Sequence, residues 1–295
     1  MKEETREGIK GTIRDVMVSF IIVAAIFLAL YAYSGVWPPI VVIESGSMQH
    51  GSDSHIGTID TGDIVVVKKV YSPDDVVSYI EGRIHGYRTY GDYGDVIIYN
   101  YQGRSIIHRA IAYLIWDGDH WRVRGVNMSN LPDWLYIDKD QITIYNVSHG
   151  PYDTIIIHID RRHLNPDVVG DEGFITMGDH NLEVYGSTAY DQNGMDGFLP
   201  ICPKLVDYNM IEGVARGELP WFGAIKLYLT GTNTDEIPPS TNLWLGLSLV
   251  TIVAGSFIVD YAIDHRKELL KKIRERKQDH ADTDNEEWAY ENEEA

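Results

Sequence analysis

Three kinds of side chain that together can open an acyl bond lie far apart along this chain. The first is a hydroxyl, Ser47, in Ile40-Val41-Val42-Ile43-Glu44-Ser45-Gly46-Ser47-Met48. A serine among small residues at the end of an apolar run can sit on a tight turn with its oxygen exposed. The second is an imidazole, His108, in Arg104-Ser105-Ile106-Ile107-His108-Arg109-Ala110-Ile111, where a neutral ring held in an apolar strand can act as a proton acceptor. The third is a carboxylate, for which there are two candidates. Asp179 lies in Gly173-Phe174-Ile175-Thr176-Met177-Gly178-Asp179-His180-Asn181, a strand running into a turn, and Asp191 lies in Tyr190-Asp191-Gln192. Either could accept a hydrogen bond from the imidazole, fix its tautomer and stabilise the imidazolium formed during attack. Each element has a plainer reading alone: Ser-Gly-Ser is common in loops, a strand histidine is often satisfied by a backbone carbonyl, and most Gly-Asp turns are only turns. His50 and His55, in HGSDSH, could share a metal, but the segment reads better as a polar loop.

The elements that must position these groups begin with an apolar stretch, Val16 to Trp37, VMVSFIIVAAIFLALYAYSGVW. A helix of ~20 such residues crosses a bilayer. Lys2, Arg6, Lys10 and Arg14 precede it and Ala32-Tyr33-Ser34 resembles a small-x-small cleavage site, so a cleavable signal peptide competes; the apolar core is long for that. A second span, Leu243 to Val259, follows the polar TNTDEIPPSTN; a buried core helix is its plainer reading. Two spans put both termini on one side. Basic residues flank the outer ends of both spans, with Arg266, Lys267, Lys271, Lys272, Arg274, Arg276 and Lys277 after the second, which predicts cytoplasmic termini and an external middle. The expected layout is a cytoplasmic N-terminus (1–15), a first transmembrane helix (16–37), an extracytoplasmic domain (38–242), a second transmembrane helix (243–263) and a cytoplasmic tail (264–295) that is basic, then acidic. Disorder is expected over DHADTDNEEWAYENEEA, which has few aliphatic residues.

The middle segment reads as strands, because short runs rich in Val, Ile and Tyr are bounded by Gly, Asp, Asn and Pro: 63–70, 95–101, 105–111, 121–124, 141–145 and 154–159. No helical periodicity of comparable strength interrupts them, so a mainly β domain of antiparallel sheets is expected. The 295 residues suffice for one sizeable domain or two small ones. With 44 acidic against 25 basic residues the net charge is -19, which argues against nucleic acid as a partner. Between Pro38 and Asn242 the count is 28 acidic against 14 basic, a net of -14, which suits a protein kept soluble in high salt. Maximal activity in low salt would count against that adaptation. The single cysteine, Cys202, excludes an intramolecular disulfide and reads as a packed residue.

Taken in order, Ser-Gly-Ser-Met just beyond an apolar span, His-Arg in a later strand and Gly-Asp-x-Asn after that resemble the type I signal peptidases. The likeness is to the archaeal and endoplasmic-reticulum branch, where a histidine stands in place of a lysine base, and the acidic balance suggests a salt-adapted archaeal source. Ile211-Glu212-Gly213-Val214-Ala215-Arg216-Gly217-Glu218-Leu219-Pro220-Trp221-Phe222-Gly223 looks like the family's closing strand and turn, so the resemblance covers most of the chain. It implies a signal-peptidase-like, mainly β catalytic domain between transmembrane helices, and a serine endopeptidase that removes signal peptides from exported preproteins. Ser47 would be the nucleophile and His108 the base that later protonates the leaving amine. Asp191 is favoured as the direct partner of His108 and Asp179 as a supporting residue, although an insertion stretches the spacing between them. The Ser47 N–H and the Ser45 hydroxyl would stabilise the oxyanion, typically ~3 kcal/mol per donor.

No metal or organic cofactor is implied, and the implied partners are signal peptides, membrane lipid and the protein-export channel. A nucleophile ten residues beyond Trp37 must lie near the outer membrane surface, since a chain spans at most ~3.6 Å per residue. Two departures from the family pattern stand out: the proline often found after Ser-Met is replaced by the loop Gln49–Gly57, and Gly118–Asp171 is long. The competing functions are a same-fold peptidase for precursors such as pilin-like proteins and a catalytically inactive membrane assembly subunit. Asn127-Met128-Ser129 and Asn146-Val147-Ser148 fit the glycosylation acceptor pattern.

Overall fold

The computed structural model describes the backbone of residues 2–147, 152–193 and 199–293, and the side chains of residues 11–147, 152–193 and 199–273. The chain is mixed and mostly β, with antiparallel strand pairs and one long apolar helix towards each terminus. It divides into two units, Met1–Asn242 and Leu243–Ala295.

In chain order the first unit holds α1 (Lys2–Ser34), β1 (Ile40–Val42), β2 (Ile64–Lys68), α2 (Tyr79–His85), β3 (Arg88–Thr89), β4 (Asp92–Tyr93), β5 (Val96–Tyr101) and β6 (Arg104–Trp116). There follow β7 (Trp121–Val123), β8 (Leu135–Ile137), β9 (Gln141–Tyr145), β10 (Thr154–His158), α3 (Pro166–Val169), β11 (Glu172–Met177), α4 (Asp179–Tyr185), β12 (Ile211–Leu219) and α5 (Ala224–Thr230). The final helix is α6 (Pro239–Glu293).

Two stretches, Gly11–Ser34 and Pro239–Ile273, are long and apolar enough to cross a membrane. Their ends differ from the sequence expectation. The first helix stops at Ser34 and not at Trp37, because Gly35 takes a left-handed conformation (φ 72°) and two prolines follow. The last helix starts at Pro239, ahead of Leu243, since proline lacks only an N–H that the first turn does not use. The backbone stays helical to Glu293 through the acidic segment read as disordered; its alanines and glutamates favour a helix.

The main sheet runs β1-β2-β12-β5-β6-β11, with β7 pairing the far end of β6. The hairpin between β5 and β6 turns on Gln102 and Gly103, both at positive φ (51° and 79°), the two-residue loop whose twist suits antiparallel strands. That turn sets the register that places Ile97 opposite His108. β5 is buried on both faces: Val96 and Ile98 join one cluster with Ile43, Met48 and Val65, while Ile97 and Tyr99 join another with Ala110 and Phe174. β6 is the spine of the sheet, and its Arg109 pairs with Val96 on one side and Met177 on the other.

The long segment Gly118–Asp171 carries β7 and a second, three-stranded sheet, β10-β9-β8. Ile142, Ile144, Ile155 and Ile157 of that sheet pack with Ile111 and Leu114 of β6. Four short helices, α2 to α5, escaped the reading of periodicity because they span at most seven residues each. One had a local signal: Ser78 and Glu81 form a capping box at the start of α2, each side chain accepting the other's N–H (3.3 and 3.0 Å).

Candidate active site

Ser47 sits in a one-turn 3₁₀ segment, Gly46–Met48, just after β1. Met48 is fully buried beside Ile43, so the turn is nailed to the core on one side while Ser47 stays half-buried on the other. The loop behind it is clasped by Ile43 N–H to the Asp63 carbonyl (2.9 Å) and Gly62 N–H to the Ile43 carbonyl (3.0 Å).

β6 brings His108 to this turn with only 3 % of its surface exposed. Its Nε2 is 3.0 Å from Ser47 Oγ and its Nδ1 is 2.7 Å from Asp191 Oδ2. A carboxylate only accepts, so Nδ1 carries the proton and Nε2 turns its lone pair to the serine hydroxyl. Asp191 is 1 % exposed, and its Oδ2 also accepts from Tyr99 (2.8 Å) and from Thr176 Oγ1 (2.6 Å). Burial, reinforced by the Asp191 charge, pushes the Tyr99 phenol far above its ordinary pKa, so it remains a donor. A hydrogen bond to a charged group contributes roughly 1.5–3 kcal/mol, and three together offset much of the cost of burying this carboxylate. The backbone at 191 is fixed too, through its N–H to the Thr176 carbonyl (2.8 Å) and its carbonyl to the Cys202 N–H (3.1 Å). Cys202 is buried, and burial raises its thiol to about 11.

Asp179 stands outside this relay. As the first residue of α4 it takes a bidentate pair from Arg109, Nε to Oδ1 (2.8 Å) and Nη2 to Oδ2 (2.6 Å). His50 Nε2 lies 3.2 Å from the same Oδ2. Burial opposes the charge on Asp179, but the Arg109 guanidinium and His50 outweigh it and hold the carboxyl far below the ordinary range. Arg109 is itself buried, and its Nη1 and Nη2 donate to the carbonyls of Thr89, Tyr90, Tyr93 and Gly94 (3.0–3.2 Å). The pair is therefore a buried brace under the β3–β4 loop.

Between relay and brace lies Gly178. A Cβ there would stand 2.4 Å from the Ser47 carbonyl oxygen, 2.9 Å from His108 Nε2 and 3.0 Å from Asn181 Nδ2. The Gly-Asp turn thus needs glycine because serine and histidine close on its backbone.

The two residues read as oxyanion donors lie beside Ser47 Oγ. Ser45, extended and exposed, has its Oγ 3.4 Å from Ser47 Oγ. The Ser47 N–H is the second of the 3₁₀ turn and has no carbonyl acceptor within it. Both open on a cleft of about 1130 Å³ walled by Val41, Val42, Ile98, Ile106 and Ile107. Its lining includes β1, an edge strand that among the described residues pairs with β2 alone.

Of the remaining candidates, His55 is exposed, His50 turns to Asp179, and among the described residues no group of three or more possible metal ligands is found. Asn127 is exposed on a loop, and Asn146 is exposed at positive φ (55°), but Ser148 of its acceptor motif lies outside the described residues. Tyr99, Thr176, Arg109 and Gly178 complete the site beyond the candidates named from the sequence. Only Gly178 and Arg109 had a signal, each adjoining a candidate in sequence.

Comparison with family models finds no match for this chain, and no curated protein matches it.

Proposed function

We propose that this chain is a membrane-anchored serine endopeptidase of the type I signal peptidase kind, cutting signal peptides from exported preproteins. The observation that carries the reading is the unbroken Ser47–His108–Asp191 relay, 3.0 and 2.7 Å at its two steps, with Ser47 and His108 lining a cleft that also holds Val41, Val42, Ile98, Ile106 and Ile107. An extended peptide added along the open edge of β1 would bring its scissile carbonyl to Ser47. Ser47 Oγ attacks that carbon as His108 Nε2 takes the hydroxyl proton, and Asp191 stabilises the imidazolium. The oxyanion is met by the Ser47 N–H and the Ser45 hydroxyl. Collapse breaks the C–N bond, His108 returns the proton to the leaving amine, and water then hydrolyses the acyl-enzyme with His108 again as base.

The two apolar helices and the basic residues outside them support a location in the cell membrane, with cytoplasmic termini and the relay on the extracytoplasmic face. Signal peptides, lipid and the export channel are the partners this location offers. The test is cleavage of a secretory preprotein by the full chain in proteoliposomes, beside Ser47→Ala and His108→Ala. Cleavage at the signal junction that both variants abolish is the expected result. No cleavage by the wild type, or undiminished cleavage by Ser47→Ala, overturns the reading. Preference for a pilin-like precursor over the preprotein moves it to a same-fold peptidase with a different substrate.

A further inference from the structure

The segment that joins α5 to the last helix crosses the nucleophile turn and grips it by the backbone. Asn233 Nδ2 donates to the Glu44 carbonyl oxygen (2.7 Å), and Glu236 Oε2 accepts from the Gly46 N–H (2.7 Å). These are the two peptide units on either side of Ser45, so both planes that set the direction of its side chain are held from one short stretch. Lys226 Nζ adds a contact to Glu44 Oε1 (2.6 Å), and Ser240 Oγ accepts the Ser54 N–H (2.8 Å) from the following loop. The stretch is built to hold its shape. Asn233 turns the chain through left-handed geometry (φ 45°), a conformation asparagine tolerates, and the Glu236 N–H bonds back to the Asn233 carbonyl (3.1 Å). Next to Glu236, Ile237 is 7 % exposed and Pro238 is buried, so apolar packing anchors the strap while its polar groups reach the turn.

Ser45 is exposed and extended, it makes no side-chain cap to the 3₁₀ turn, and among the described residues its hydroxyl has its hydrogen-bonding contact with Ser47 Oγ at 3.4 Å. An oxyanion donor works only when its direction is fixed before charge develops. We infer that Glu236 and Asn233 are positioning residues: they lock the peptide planes around Ser45 so that its hydroxyl points at the developing oxyanion. This rests on the peptidase reading, and it makes the link to the last helix part of the catalytic machinery.

The experiment uses the full chain in detergent and a fluorogenic peptide carrying a small-x-small cleavage site. Glu236→Ala is expected to lower kcat about tenfold with KM within about twofold, and Glu236→Gln, which keeps an acceptor oxygen, to recover most of that loss. In a Ser45→Ala background the same Glu236→Ala change is expected to cost less than about twofold, because the group it positions is gone. An unchanged kcat in Glu236→Ala, no recovery with Gln, or the full loss repeated on Ser45→Ala overturns the proposal. Hydrogen exchange at the Gly46 amide separates this from failure of the peptidase reading. Faster exchange in Glu236→Ala supports the strap even if the wild type cleaves nothing, and unchanged exchange sinks it even if the wild type is fully active.

Discussion

Replacing Gly178 with alanine tests whether the relay depends on close backbone approach. The added Cβ would meet the Ser47 carbonyl oxygen at 2.4 Å and His108 Nε2 at 2.9 Å, whereas an ordinary contact begins near 3.4 Å. The Ser47 turn or the β11–α4 corner must therefore retreat by about 1 Å, the difference between 3.4 and 2.4 Å. That retreat has few outlets, since Met48 is packed at 0 % exposure below the turn and the Arg109–Asp179 pair holds the corner from behind. Overpacking of this kind costs about 1–3 kcal/mol of stability, and a misplacement of about 1 Å between reacting groups lowers the rate about 100-fold. The assay is kcat and KM on the fluorogenic peptide together with the melting temperature. Gly178→Ala should lower kcat about 100-fold with KM nearly unchanged, because the walls of the cleft are not touched. A kcat within about threefold of wild type would show that the turn can give way freely, and the close-approach argument would be wrong.

Two outcomes concern the aspartates near this corner, and a third a buried carboxyl elsewhere in the domain. Asp191→Asn removes the acceptor that keeps the proton on His108 Nδ1, so kcat should fall by about 10⁴ in the peptide assay, and a loss under tenfold would exclude Asp191 from the relay. Asp179→Ala takes from the buried Arg109 guanidinium its bidentate carboxylate, a loss of about 3–5 kcal/mol, so the melting temperature should drop sharply while kcat per folded molecule falls far less than in Asp191→Asn; the reverse pattern would exchange the two roles. Burial raises the Asp63 carboxyl to about 7, against the N–H groups of Trp221 (2.8 Å) and Asp60 (2.9 Å), with the Asp60 and Glu218 charges adding to the rise. Between about pH 4 and pH 7 the folded chain keeps a proton that the unfolded chain has released, so this contribution to stability declines as pH rises through that window and levels off above it. Melting temperatures of wild type and Asp63→Asn from pH 4 to 8 should therefore diverge in favour of the variant, and a constant difference would refute the assignment.

The β pattern was plain in the sequence because its apolar runs are short and bounded by turn formers: the strand read at 141–145 is β9 itself, and 95–101 exceeds β5 by one residue. Ser47, His108 and Asp191 could be nominated because their types are those of acyl transfer and their order resembles a known family. Their supports were hidden for a physical reason. Tyr99 and Thr176 sit 92 and 15 residues from Asp191, and nothing in a tyrosine inside an apolar strand says that its hydroxyl meets a carboxylate. Glu236 was read within a polar linker, and its bond to Gly46 spans 190 residues. The short helix α4 turns on local chemistry: the Gly-Asp pair that reads as a turn is the N-cap and first residue of a helix.

The two aspartates divide their work because of strand geometry. Successive side chains on a strand point to opposite faces, so the dipeptide His108-Arg109 must send an imidazole one way and a guanidinium the other. Each needs an acceptor on its own side, since a buried base without a carboxylate drifts in tautomer and a buried guanidinium without one is severely destabilising. β11 and the corner after it serve both. Thr176 lies on the imidazole side and helps hold Asp191, while the chain turns at Gly178 to start α4 with Asp179 on the guanidinium side. One carboxylate in both places would have to span the sheet, which no single side chain does. A fold that buries a His-Arg pair at this point of β6 thus requires two acids, and losing either should produce a distinct failure: an unoriented base in one case, a collapsed brace in the other.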